Sequence, residues 1–181
     1  MALVESHMLP LGTPLPSLST LEITNGYSLP DTQSDLTVLA VICNHCPYVI
    51  HIIEAFSAAL NTLQSKGIQT IAISSNNIVT HPQDAPEHMA EFSTQHEFTF
   101  PYAYDATQEI AKALMAECTP DFFVFHKTEG LIYRGQFCDS RIGNDIAPSG
   151  QSLLNAIDTY STSKQIVSEQ KPSIGCSIKW K

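Results

Sequence analysis

The spacing of apolar residues changes at Cys43, and this change constrains the fold more than any other feature. Residues 35–42, DLTVLAVI, form a nearly continuous apolar run, which is typical of a strand buried on both faces. From Val49 to Leu63 the apolar residues instead recur with helical spacing. A second strand-like run, GIQTIAISS, begins at Gly67. This order predicts a βαβ unit with parallel strands and a right-handed crossover.

The rest of the chain predicts more strands and helices. DAPEHMAEFSTQHE is typical of a helix capped by Asp84, FPYAYD of a short strand and ATQEIAKALMAE of a short helix. DFFVF and LIYRGQF flank a turn containing Gly130, which predicts a β-hairpin, and SGQSLLNAIDTYST predicts a final helix. In LEITNGYSLPD, Asn25-Gly26 favours a hairpin turn. We expect an α/β fold with a central mixed β-sheet flanked by helices, an N-terminal β-hairpin and an inserted strand/helix segment.

The length of 181 residues favours a single domain over residues 1–181. Residues 1–20 are rich in Leu, Pro, Ser and Thr and are expected to form an extended arm. Residues 164–181 are expected to be a tail packed on the domain, because Ile174, Ile178 and Trp180 need apolar surroundings.

Charge and cysteine usage restrict the partners and the compartment. With 9 basic and 18 acidic residues the net charge is −9, which predicts no binding to nucleic acid or anionic membranes. We find neither a signal peptide nor a run of about 18 apolar residues that could span a membrane. The 5 cysteines are irregularly spaced, unlike a secreted disulfide framework. We therefore expect a cytoplasmic protein whose clustered cysteines are catalytic or metal-binding.

Cys43 and Cys46 form a Cys-x-x-Cys pair where the first strand gives way to the helix, with Asn44 and His45 between them. Free N–H groups at a helix N-terminus favour a thiolate, which predicts a lowered pKa for Cys43 and makes it the nucleophile. Cys46, expected one turn inside the helix, would be the resolving cysteine. A protonated His45 would stabilise the thiolate, and Pro47 is tolerated in the first helical turn. The alternative is a pair of buried thiols without chemistry.

The same residues could instead bind a metal ion. Cys43, His45 and Cys46 would supply three ligands and Cys118 a fourth. Structural zinc sites usually contain a second closely spaced pair of ligands, and the sequence has none. We therefore expect no metal and no other cofactor, and a metal-binding or redox-sensing module remains an alternative.

Thr119 and Pro120 stand just before the strand of the predicted hairpin. A proline there belongs at the start of the strand or in a special turn, and its peptide bond can be cis or trans. A Cys-x-x-Cys pair at a helix start, an X–Pro before a hairpin and a final helix together resemble the thioredoxin fold. The resemblance implies that Pro120 is the cis-proline, that Thr119 borders a substrate groove and that Cys118 lies near the dithiol.

The blocks CNHCPYV, CTPDFFVF, YRGQ, DSR and PSIGCSIKW together resemble one subfamily of thioredoxin-like redoxins. The segment inserted between Ser75 and Cys118, together with the N-terminal hairpin, is similar to the AhpC/TSA and TlpA-like branch of that fold. The resemblance implies the fold and a redox activity.

Three departures from related patterns precede the dithiol. Val41-Ile42 replaces the Trp found ahead of the thioredoxin dithiol, and Thr37 stands where thioredoxins carry a buried Asp. Peroxiredoxins carry Thr or Ser and Pro at the positions of Ala40 and Leu36. These departures disfavour both an ordinary thioredoxin and a direct peroxidase.

Other candidates lie towards the C-terminus. Arg134 and Arg141 flank Cys138 and could hold a thiolate or a substrate carboxylate, although such arginines often pair with surface acids. Cys118 or Cys176 could act in a relay of thiols, and the alternative for Cys138 and Cys176 is inert packing.

These patterns predict a thiol–disulfide oxidoreductase. The Cys43 thiolate would attack a protein or small-molecule disulfide, and Cys46 would resolve the mixed disulfide, with a thiol reductant system closing the cycle. The direction of electron flow and the oligomeric state stay open. A thiol-dependent peroxidase is the alternative enzyme.

Overall fold

The computed structural model describes residues 3–29 and 34–181. In chain order its elements are β1 (Leu3–Glu5), β2 (Glu22–Ile23), β3 (Leu36–Val41), α1 (Pro47–Ser65), β4 (Gln69–Ser74), a 3-10 turn (Pro82–Asp84), α2 (Pro86–Gln95), β5 (Tyr102–Tyr104), α3 (Glu109–Ala113), β6 (Cys118–Thr119), β7 (Asp121–His126), β8 (Gly130–Gly135), α4 (Gln151–Ser163) and β9 (Ile174–Ser177).

Six of these strands form the central sheet, in the order β2-β5-β4-β3-β7-β8. β3 is parallel to β4, and β4 is parallel to β5, while β7 and β8 form an antiparallel hairpin beside β3. The predicted mixed sheet and strand–helix–strand unit are therefore confirmed. All six residues of β3 are buried, as its apolar run predicts.

Alternate residues of β3 face two apolar layers, because successive side chains of a strand point to opposite faces. Val38 and Ala40 belong to the layer formed with α1, α2 and α4, in which Phe56 is buried. Leu39 and Val41 belong to the opposite layer, which is covered by α3 and by the N-terminal segment. Burial of each large apolar side chain contributes about 1.5–3 kcal/mol, so both layers hold β3 at the centre.

A second, three-stranded sheet joins both ends of the chain in the order β1-β9-β6. β9 pairs antiparallel with β1 on one side and with β6 on the other. Ile178, just after β9, is buried, whereas Trp180 is 38% exposed. β9 thereby lies beside β6, the short strand just before β7.

The expected hairpin at Asn25-Gly26 is wrong. Within the described residues β2 pairs with β5, not with a following strand. The Asn25 side chain donates to the carbonyl oxygen of Phe100 at 3.0 Å and accepts from the Tyr102 N–H at 3.1 Å. These bonds fasten the turn to the edge of the central sheet. Residues 30–33, which the expected second strand would include, lie outside the described part.

A search of the described helices finds none that is long and apolar enough to cross a membrane.

Candidate active site

Helix α1 begins at Pro47, and Cys46 is its N-cap residue. The expectation that Cys46 lies one turn inside the helix is therefore wrong. Proline at the first helical position has a suitable fixed φ and lacks an N–H that would have no partner there, so the helix starts at this residue. Cys43 lies in the loop between β3 and α1. The electrostatic effect of the helix N-terminus consequently acts most strongly at Cys46, not at Cys43.

The two thiols of the pair are buried neighbours. Cys43 is 1% exposed and Cys46 is 0% exposed. Each thiol has the largest effect on the pKa of the other. The Cys43 Sγ lies 3.5 Å from the Thr119 Oγ1, and the Cys46 thiol donates to the Thr119 carbonyl oxygen at 3.2 Å. Thr119 therefore contacts both sulfur atoms of the reduced pair.

The two thiols differ in acidity. The hydrogen bond from Cys43 lowers the pKa of Cys46 to about 5, with smaller contributions from Thr119, Cys176 and the Val49 N–H, and these outweigh burial. The pKa of Cys43 is raised well above its ordinary value, first because its proton is held against Cys46, and then by burial and the charge of Asp84. The predicted low pKa of Cys43 is therefore wrong. Cys46 is therefore the more acidic of the two thiols.

The Thr119–Pro120 peptide bond is cis, the geometry that the resemblance implies. Thr119 belongs to β6 and is placed directly opposite Cys176 of β9. The neighbouring Cys118 is opposite Ser177 and is fully buried. Burial raises the pKa of Cys118 far above its ordinary value, so this thiol stays protonated.

Asp84 belongs to the site, although the sequence predicted only a helix-capping role for it. The N-cap of α2 is Ala85, so Asp84 is not the predicted cap. Its carboxylate accepts from the Asn44 N–H at 2.9 Å and from the Asn76 Nδ2 at 2.8 Å, and it lies 2.8 Å from the His45 Nδ1. Burial would raise the pKa of Asp84, but these contacts together lower it.

The residues between the cysteines face the same carboxylate. His45 is partly exposed, and its ring stacks on that of His81 at 5.3 Å between centroids. The Asn44 side chain accepts from the buried Tyr102 hydroxyl at 3.0 Å. Both predicted supporting residues therefore hold the loop between β3 and α1 against the segment that contains Asp84.

A possible metal site differs from the one that the sequence suggested. Within the described part of the chain, the donor atoms of Cys43, His45 and Asp84 all lie within 4.8 Å of one another. A thiolate, an imidazole and a carboxylate are ligands of the kind that bind zinc. The predicted set contained Cys46 and Cys118 in place of Asp84.

The two candidate arginines bind uncharged groups. Arg134 donates to the Gln170 Oε1 at 2.8 Å. Arg141 donates to the carbonyl oxygens of Cys138 and Ser140, at 2.7 Å each, and to the Gln136 side chain. The Arg141 bonds shape the loop after β8, and the Arg134 bond joins β8 to the segment after α4. The described contacts give neither arginine a bond to a cysteine sulfur.

A cleft adjoins the cis-proline on the side of that loop. Its lining includes Tyr48, Pro120, Cys138 and Arg141. Cys138 is buried beneath it and 2% exposed.

The fold is that of the thioredoxin-like redoxins. The AhpC/TSA family matches residues 11–138, and the chain belongs to this family. Comparison with curated proteins finds none that matches.

Solved structures give the same assignment of fold. The chain is similar to a protein of Geobacillus kaustophilus described as an uncharacterized conserved protein, with 43% identity and a TM-score of 0.94, covering 100% of this chain and 97% of that one. A thiol-disulfide isomerase from Corynebacterium glutamicum shares 20% identity at a TM-score of 0.61, covering 87% and 98%. A bacterioferritin comigratory protein from Xanthomonas campestris shares 13% sequence identity at a TM-score of 0.58, and the match covers 84% of this chain and 100% of that one.

Proposed function

We propose that this protein is a thiol–disulfide oxidoreductase whose redox pair is Cys43 and Cys46. The observation that carries the proposal is the approach of both sulfur atoms to one residue, Thr119, beside Pro120. Two buried thiols held against the same residue are placed to close a disulfide. The pair is then the group that accepts or donates two electrons.

The surroundings of the two sulfur atoms support different roles. Cys43 follows β3 in the connecting loop, beside the partly exposed Asn44 and His45. Cys46 is enclosed by the Thr119 carbonyl and by Cys176. Cys43 is therefore the cysteine that forms the mixed disulfide with the substrate, and Cys46 is its partner inside the protein.

The acidity of Cys46 favours oxidation of a substrate dithiol. A substrate thiolate attacks the Cys43 Sγ of the disulfide, the Cys43–Cys46 bond breaks, and Cys46 leaves as a thiolate. A second substrate thiolate then attacks the sulfur of the first, releasing Cys43 and forming the substrate disulfide. A leaving group of low pKa leaves faster, and stabilising the reduced form makes the pair more oxidising.

The same chemistry runs backwards on a protein or small-molecule disulfide. Cys43 must first lose its proton, which its raised pKa opposes. A thiol reductant system would then return the pair to its reduced form. The reducing direction is therefore the slower one at neutral pH.

A thiol peroxidase is the rival function. It is supported by the AhpC/TSA family and by the Xanthomonas neighbour, whose structural study concerns alkyl peroxide reduction. Against it stand Ala40 and Leu36, where peroxiredoxins carry Thr or Ser and Pro. Mixing the reduced protein with hydrogen peroxide in a stopped-flow instrument separates the two functions. Oxidation much faster than that of a free thiol of the same pKa would favour the peroxidase.

The direct test is a titration with reduced and oxidised glutathione, followed by mass spectrometry of the alkylated protein. We expect a Cys43–Cys46 disulfide in the wild type and in Cys118→Ser, the matched control for a buried thiol nearby. Cys46→Ser should instead accumulate glutathione on Cys43. A wild type that never forms the Cys43–Cys46 disulfide would overturn the proposal, and faster trapping on Cys46 in Cys43→Ser would exchange the two roles.

A further inference from the structure

Strand β9 places a third thiol, that of Cys176, beside the redox pair in the buried layer. Cys176 is 3% exposed and belongs to the same buried layer as Cys43 and Cys46. It is directly opposite Thr119, whose carbonyl oxygen lies 3.2 Å from the Cys46 sulfur, and the thiols of Cys176 and Cys46 shift the pKa of one another. Cys46 therefore lies between two thiols, Cys43 from the loop before α1 and Cys176 from the C-terminal strand.

The register of β9 explains this placement. Cys176 is directly opposite Thr119 in the antiparallel pair of β9 and β6. Side chains of directly opposed residues lie on the same face of a sheet, and the Thr119 hydroxyl faces the Cys43 sulfur. Cys176 faces the redox pair for the same reason. Cys118 precedes Thr119 in β6, so its side chain points to the opposite face.

The backbone fixes β9 at this distance. A Cβ built on Gly175 would lie 1.9 Å from the Thr119 carbonyl oxygen, so only glycine permits this close approach. On its other edge β9 is paired with β1, where Cys176 is opposite Leu3. Paired on both sides, the strand holds Cys176 against Cys46 without help from a mobile loop.

We propose that Cys176 is a third redox-active cysteine that exchanges with the Cys43–Cys46 disulfide, an inference that rests on the proposed function. The Cys176 thiolate attacks the Sγ of Cys46, the Cys43–Cys46 bond breaks, and a Cys46–Cys176 disulfide forms. The proton lost by Cys176 goes to the released Cys43. The exchange moves no net electrons, because one disulfide replaces another.

The consequence is a second oxidised form of the protein. In this form α1 is linked covalently to β9, and Cys43 is a thiol although the protein carries a disulfide. Cys43 can then react with another disulfide or with a small thiol-reactive compound. The burial that raises the pKa of Cys176 to about 12 makes the exchange slow at neutral pH and faster as the pH rises.

The first arm of the test removes Cys43. Cys43→Ser, oxidised with glutathione disulfide, is expected to lose two thiols and to yield a linked Cys46–Cys176 peptide by mass spectrometry. Cys43→Ser/Cys118→Ser is the matched control and should give the same linked peptide. Cys43→Ser/Cys176→Ser should give only a glutathione adduct. If Cys43→Ser gives the same adduct and no linked peptide, the inference is overturned.

The second arm uses the complete set of cysteines. The oxidised wild type should be labelled at Cys43 by N-ethylmaleimide, increasingly at higher pH, whereas oxidised Cys176→Ser should resist labelling there. Equal labelling of the two proteins would contradict the inference. Cys176→Ser should still form the Cys43–Cys46 disulfide, and its failure to do so, with an unchanged circular dichroism spectrum, would count against the proposed function instead. Cys176→Ala serves as a second variant if the serine disturbs packing.

Discussion

Two buried carboxyl groups near the redox pair have opposite electrostatic surroundings. Asp84 is 0% exposed and Asp121 is 1% exposed. Asp84 meets the Asn44 N–H, the Asn76 side chain and His45, and its pKa is lowered despite burial. Burial raises the pKa of Asp121 to about 8, and its Oδ2 has no hydrogen-bond partner among the described groups.

The difference shows that the number of hydrogen-bond donors around a buried carboxyl group, and not its degree of burial, decides whether it is charged. Desolvation disfavours the charged form at both positions. At Asp84 a backbone N–H and two side chains replace the lost water. At Asp121 the Phe122 N–H donates to one oxygen at 3.1 Å, and the nearby hydroxyls of Ser173 and Ser6 lower the pKa only in part. Asp84 is therefore a carboxylate at neutral pH, and Asp121 is largely a neutral carboxylic acid.

The largest effect is expected for Asp121→Asn. The pKa of Asp121 is about 8 in the folded chain and near 3.8 when unfolded, so its contribution to stability is full below about pH 4 and is lost as the pH rises to 8. The loss amounts to about 1.4 kcal/mol for each pH unit. Because asparagine cannot ionise, we expect this variant to exceed the wild type in free energy of unfolding at pH 8. Urea unfolding between pH 4 and 8 measures the difference, and parallel curves for the two proteins would contradict it.

Asp84→Asn is expected to have the opposite pH dependence. A lowered pKa stabilises the folded chain above the ordinary pKa of an aspartate, and this stabilisation is lost as the pH falls through the folded value. Because the amide is a weaker acceptor for Asn44, Asn76 and His45, we expect a loss of about 1–3 kcal/mol at pH 7. Urea unfolding extended from pH 7 to below pH 4 should show the variant approaching the wild type as the pH falls. A loss that is constant with pH would show that shape, not charge, matters here.

Asp84→Asn should also change the acidity of the redox pair. The charge of Asp84 raises the pKa of Cys43, so its removal should lower that pKa. Titration of the thiolate absorbance in Cys46→Ser, with and without Asp84→Asn, isolates Cys43. Asp105→Asn is the matched control, because Asp105 is equally buried but binds Ser75 and the Ala111 N–H. An equal shift from both substitutions would exclude a local charge effect.

The sequence predicts those parts of the fold and site that depend on local pattern. The central strands and α1 follow from the period of apolar residues, and Pro47 at the helix start follows from its own chemistry. The thiol acidities were mispredicted because the interaction of the two thiols with each other, which has no local signal in the sequence, has the largest effect on both pKa values. The helix also begins at Pro47, so its N-terminal N–H groups lie nearer to Cys46 than to Cys43.

The contacts between distant segments could not be predicted in this way. Asp84 contacts Asn44 and His45 across some forty residues, and its local sequence equally favours a helix cap. Cys176 was a relay candidate only by its residue type, because the register of β9 on β6 has no local signal. Asp121 is the first residue of an apolar strand. A charged residue at a strand end usually lies at the surface, so only the fold shows that Asp121 is buried.

The smallest effect is expected for Ser173→Ala. This substitution acts on Asp121, the carboxyl group with fewer hydrogen-bond donors around it. The Ser173 hydroxyl lowers the pKa of Asp121, whereas its backbone N–H donates to the Ser6 Oγ at 3.0 Å and is kept by alanine. Losing the hydroxyl should raise the pKa of Asp121 further. The pH at which stability stops falling would then lie above 8. In the Asp121→Asn background the same substitution should leave the pH dependence unchanged, since no carboxyl group remains to titrate. If Ser173→Ala still changes the pH dependence of stability in that background, the effect belongs to another group, and Ser173 does not control the pKa of Asp121.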